Sequence, residues 1–132
     1  MAHRHASIDD LGDGVFRKLR RELGITAFGA NALVLPQGTE WFNHFHEEQD
    51  ELYFVHRGIA GFEVDGEEFE LGSGGACYVE STTPRRFWNA GDDDLVILAI
   101  GGGVAFSNLL WLLLVVALIV AVFALFSGRR AL

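Results

Sequence analysis

The 132-residue chain predicts an all-β fold: a jelly-roll barrel with a short helix before it and a transmembrane helix after it. Three observations carry that prediction. About eight short runs rich in β-branched and aromatic residues follow one another between residues 25 and 100, with no helical pattern between them. Turn chemistry separates these runs. Residues 109–126 then contain no polar side chain at all, as a membrane span requires.

Taken in order, residues 1–14 hold His3, His5 and the turn-rich run 9–14, and read as a mobile or loosely docked arm. No apolar core follows the first few residues, so a secretory signal is not expected. From residue 15 to 23 the apolar positions Val15, Phe16, Leu19 and Leu23 alternate with Arg17, Lys18, Arg20 and Arg21. That pattern predicts a short amphipathic helix ending at Gly24. It is expected to close one end of the barrel, although its basic face also suits an anionic lipid surface.

The strand runs cover residues 25–35, 40–46, 51–57, 59–64, 67–71, 76–80, 85–89 and 95–100. The separators are Pro36-Gln37-Gly38, Arg57-Gly58, Asp65-Gly66, the glycine-rich stretch 72–75, Thr83-Pro84 and the stretch 91–94. Asp65-Gly66 is the clearest two-residue hairpin signal. The strand set is complete by residue 100, so the barrel does not need the tail. The organisation is therefore an arm and helix over 1–24, a barrel over 25–103, a transmembrane helix over 104–126 and a short tail over 127–132.

Between residues 104 and 126 the only polar side chains are Ser107 and Asn108. About 23 helical residues reach about 34 Å, enough for a hydrocarbon core of about 30 Å. Arg129 and Arg130 after the span, against Asp92, Asp93 and Asp94 before it, favour a cytoplasmic C-terminus. The absence of a leader favours a barrel that folds in the cytoplasm before its anchor emerges, and a cytoplasmic barrel is the expectation taken here.

A formal charge of −8 offers no basic stripe to displace counterions, which argues against nucleic acid as a partner. Acidic groups concentrate at 47–51, 63–70 and 92–94, and the last two of these clusters read mainly as a solvated rim. The single cysteine, Cys77, cannot form an internal disulfide and is expected to be a small core residue.

The most specific pattern runs from Gly38 through His44, His46 and Glu51 to Gly58. Residues two apart on a strand point to one side, so His44 and His46 can aim two imidazoles at one point. Glu51, opening the next run, can bring a carboxylate there across a strand pair. This spacing resembles the first motif of the cupin superfamily at every fixed position. The family's second motif falls on Gly74, Glu80, Thr82, Arg85 and Asn89, where only the ends match. Glu80 and Thr82 replace a proline and a glycine, and Arg85 replaces the histidine that usually completes a metal site.

Parity extends the reading. If His44 and His46 point inward, Glu40 and Phe42 do too, leaving Trp41, Asn43 and Phe45 outside. If Glu51 points inward, so do Tyr53 and Val55, leaving Leu52, Phe54 and His56 outside. Arg85, Phe87 and Asn89 inward puts Trp88 outside. The outward apolar groups predict a cover, either a second subunit in a homodimer or the first twenty residues.

The resemblance implies a metal set of His44, His46 and Glu51, the two-histidine, one-carboxylate arrangement suited to non-haem iron, with manganese, nickel or zinc as other choices. A guanidinium is always charged and cannot donate a lone pair, so Arg85 conflicts with a bare divalent ion. In one arrangement metal and Arg85 share a carboxylate or phosphate ligand. In the other there is no metal, Arg85 pairs with Glu51, and a ligand binds through His44, His46, Tyr53 and Asn89. Both expect a small acidic molecule in the barrel, with Arg85, Tyr53 and Asn89 as ligand-binding residues. The expected function is ligand binding or sensing at a membrane. The alternatives are a metal-dependent enzyme of dioxygenase or isomerase type and a structural anchor.

Overall fold

The computed structural model describes residues 2–44 and 49–130, and side chains within these ranges other than those of 42–44, 103–110 and 129–130. A 3-10 turn at Ile8–Asp10 precedes β1 (Phe16–Arg17) and α1 (Leu19–Leu23). The strands β2 (Gly29–Leu35), β3 (Glu40–His44), β4 (Glu51–Arg57), β5 (Ala60–Val64), β6 (Glu67–Leu71), β7 (Ala76–Val79), β8 (Arg85–Asn89) and β9 (Leu95–Gly101) follow. The last element is α2 (Gly103–Arg130). One sheet has the order β1-β2-β9-β4-β7 and the other β3-β8-β5-β6, with all pairings antiparallel. This is the expected two-sheet jelly roll.

The inward faces make the core. Leu33, Leu35, Tyr53, Val55, Phe62, Phe87, Leu95 and Ile97 are buried between the sheets, each on the parity its strand dictates. In β4 the alternation holds as expected, with Tyr53 and Val55 buried and Leu52 and His56 exposed. Cys77 lies opposite Tyr53 and packs against the core. Asp65 and Gly66 both have positive φ, 51° and 83°, the signature of the tight hairpin their sequence predicts. Gly58 has φ 86°, and an added Cβ would stand 2.8 Å from the Asp94 carbonyl oxygen, so that turn admits no side chain.

Two expectations need correction. The helix predicted over 15–23 begins only at Leu19, because Phe16 and Arg17 instead pair with Leu33 and Ala32 at the edge of the first sheet. The apolar residues Val15 and Phe16 are worth more on the barrel wall than on an isolated helical turn. Parity in β3 also fails. Trp41 is opposite Phe87, but His44 is opposite Arg85, so a bulge intervenes and reverses the facing of the strand. Trp41 accordingly points inward, stacked on Phe87 and on Phe16 at 6.3 Å from each, while the Glu40 side chain is exposed.

Trp88 faces outward as expected, lying flat over Gly61 with the Arg86 guanidinium 4.9 Å above its ring. The arm is docked through Arg4, which donates to the Leu23 carbonyl, and through Arg17, which donates to the Ile8 carbonyl. Within α2, Trp111–Gly128 is long and apolar enough to cross a membrane, and none of it is buried against the barrel.

Candidate ligand site inside the barrel

At the end of the barrel where β4 begins and β9 ends, the side chains leave a cavity of about 220 Å³. Glu51 and Tyr53 enter it from β4, Asn31 and Leu33 from β2, Trp41 and Phe87 from the facing sheet. The aromatic wall is continuous, with Tyr53 and Phe87 centroids 5.3 Å apart. Asn31 was legible as a lone polar residue on the same parity as the core residues Leu33 and Leu35. Trp41 was not, because nothing in the sequence announces the bulge.

Arg85 forms the charged corner beside this cavity. It is completely buried and fixed at two points by the preceding loop, donating from Nε to the Thr83 carbonyl at 2.9 Å and from Nη2 to the Glu80 carbonyl at 2.7 Å. Its remaining Nη1 faces Glu51 Oε1 at 3.5 Å, an ion pair longer than a hydrogen bond. Among the described residues, neither Arg85 Nη1 nor the buried Tyr53 hydroxyl has a hydrogen-bond partner. Burial, and next the Glu51 carboxylate, push the Tyr53 phenol well above its ordinary value. It therefore remains a proton donor throughout the physiological range.

The loop that carries these carbonyls is pinned by Asp50. One carboxylate oxygen of Asp50 accepts from the Tyr78 hydroxyl at 2.5 Å and the other from the Ser81 amide at 2.7 Å. These two donors hold the Asp50 carboxyl below its usual range. Thr82, at the position where the second motif has glycine, adopts φ 72°. The loop has kept a glycine conformation with a β-branched residue in it.

The predicted site residues divide accordingly. Glu51, Tyr53 and Arg85 come together. Asn89 does not join them: it lies at the other end of β8, where its amide donates to the Leu35 and Asp93 carbonyls and accepts from Gly91, holding the 90–94 loop. His44 is placed by its backbone opposite Arg85, whereas its side chain and the whole of His46 lie outside the described residues. Among the described residues no group of three His, Cys, Asp or Glu side chains could hold a metal ion. Glu51 in this arrangement does not fit a bare divalent ion, because the fixed guanidinium beside it would repel the metal unless an anion lay between them.

The cupin domain family matches residues 32–101, the span from β2 to the end of β9. The chain belongs to the cupins. An uncharacterised protein of Methanocaldococcus jannaschii is 31% identical over 65 residues, covering 49% of this chain and 52% of that protein. An oxalate-binding protein of Thermotoga maritima is 30% identical over 68 residues, covering 52% of this chain and 56% of that protein. The match thus spans about half the length of these curated relatives. Among solved structures, a cupin protein of Bacteroides fragilis superimposes with a TM-score of 0.66 at 24% identity, covering 76% of this chain and 84% of that one. The jelly roll of this cupin is thereby shared with a solved structure.

Proposed function

We propose that this cupin binds a small carboxylate-bearing molecule inside its barrel, as a ligand-binding or sensing protein anchored to a membrane by α2. The observation that carries the reading is the corner of Glu51, Tyr53 and Arg85. Two buried donors, Arg85 Nη1 and the Tyr53 hydroxyl, stand beside a cavity without hydrogen-bond partners among the described residues, so each has donor capacity to offer a ligand oxygen. A ligand carboxylate accepts from both, competing with Glu51 for the guanidinium. The relative in Thermotoga maritima, named for oxalate binding, supports an acidic ligand. The length and composition of α2 support the anchor. The uncovered groups Leu52 and Tyr78 on the outer face of the first sheet are assigned to a second copy in a homodimer.

Thermal melting of the detergent-purified chain with a panel of mono- and dicarboxylates tests the reading. At least one acid is expected to raise the melting temperature, and Tyr53→Phe to weaken its binding about tenfold, the loss of one charge-assisted hydrogen bond. No stabilisation by any acid would refute it.

A second reading places iron, manganese, nickel or zinc on His44, His46 and Glu51, with the ligand's acid group bridging to Arg85. It carries the enzyme alternative of dioxygenase or isomerase type. The pairing of His44 with Arg85 across β3 and β8 favours it. Elemental analysis of the wild type beside Arg85→His separates the two: metal in both supports the three-ligand set, and metal in the variant alone supports the metal-free corner.

A further inference from the structure

We propose that the cavity mouth opens onto the bilayer surface and that the ligand is an amphiphilic monocarboxylic acid drawn from the membrane, not a water-soluble diacid. This deepens the carboxylate reading above and rests on it. The first argument is connectivity. Gly101 lines the cavity and ends β9, and α2 begins at Gly103, so at most about 7 Å of chain separates the mouth from the helix. Gly102 between them has φ 100°. A Cβ there would meet the Gly29 amide nitrogen at 3.2 Å and Gln49 Nε2 at 3.4 Å, and Gly29 and Gln49 both line the cavity. The connection is thus seated on the cavity rim instead of hanging from it.

From Gly103 the helix needs only about 12 Å to reach Trp111, where the apolar window opens. Embedding that window holds the cavity mouth at the height of the lipid headgroups. The surroundings of the mouth suit such a place. Phe16 and Phe28 are each 44% exposed, and Phe28 immediately precedes Gly29. A groove that shares Phe16 and Asn31 with the cavity carries Lys18, Arg20 and Arg21. Exposed aromatic rings beside a basic helical turn are unfavourable in water and favourable against phospholipid.

The cavity chooses between acids. Leu33, Trp41, Phe87 and Ala99 give it apolar walls, and among the described residues that line it none is basic. Among the described residues Arg85 alone offers a positive charge at its corner, already facing Glu51. One carboxylate can be accommodated there; a second would find only the neutral amides of Asn31 and Gln49 among the described lining residues, and no cation to offset its burial. The small volume limits the apolar part to a short chain or a single ring.

The test uses the full chain in nanodiscs of neutral phosphatidylcholine, with octanoate and oxalate as probes. Octanoate is expected to bind at least tenfold more tightly than oxalate. A flexible ten-residue insertion between Gly102 and Gly103 is expected to slow octanoate uptake from the bilayer several-fold while leaving its equilibrium affinity unchanged. Oxalate binding as tightly as octanoate, or uptake unaffected by the insertion, overturns this inference and leaves the carboxylate reading standing. Binding of neither acid overturns both.

Discussion

Arg85 Nη1 lies 3.5 Å from Glu51 Oε1, the guanidinium completely buried and the carboxylate nearly so. The two residues reach each other from different sheets, Glu51 at the start of β4 and Arg85 at the start of β8. Removing the carboxylate leaves a fixed buried cation, so Glu51→Gln is expected to cost about 3 kcal/mol. Chemical denaturation of the two proteins measures it, and a change under 1 kcal/mol would show that the pair is not coupled.

Thr82 carries a β-branched side chain at φ 72°, a backbone conformation that costs about 1–3 kcal/mol for such a residue. Thr82→Gly is expected to raise stability by about 1 kcal/mol, the gain reduced by the greater entropy of unfolded glycine. A lower melting temperature would mean that the threonine side chain contributes more than its backbone strain removes.

Asp50 links the start of β4 to Tyr78 and to the loop behind Arg85. The Tyr78 hydroxyl, then the Ser81 amide, depress its folded-state pKa. Stability from this carboxylate is therefore fully present above its unfolded value of about 4 and is lost as the pH falls through the lower folded value. Melting temperature followed between pH 6 and 2 is expected to fall less steeply below pH 4 in Asp50→Ala than in the wild type. Parallel curves would remove Asp50 from the account.

Gly61 lies beneath Trp88, and a Cβ at this position would stand 2.2 Å from the indole. Gly61→Ala must therefore turn the ring and disturb the Arg86 cation stacked on it. A loss of about 2 kcal/mol is expected from this overpacking, read by denaturant unfolding. Trp88 fluorescence unchanged in the variant would contradict the contact.

Much of the fold was legible because strand periodicity and turn chemistry agreed. Strands β4, β6 and β8 match their predicted runs residue for residue, each bounded by glycine, proline or an acidic turn. With Glu51 and Arg85 set inward by the motif resemblance, parity placed Tyr53 and Phe87 inward beside them. Parity failed in β3, where a bulge between Trp41 and His44 changes the facing without any composition signal. The edge strand β1 was also hidden, since Phe16–Arg17 is too short to show a period and acquires its conformation by pairing with β2. Asn89 shared its parity with Arg85, yet strand length separates them, and only the fold reveals that its amide serves the 90–94 loop.

The most direct test is the affinity of a monocarboxylate such as octanoate for the wild type and for Glu51→Gln, measured by calorimetry. If ligand and Glu51 compete for Arg85, the variant binds about tenfold more tightly, and the ligand restores part of the stability lost with the carboxylate. Weaker binding to Glu51→Gln than to the wild type would contradict the account, because Glu51 would then hold the ligand or its metal instead of competing with it.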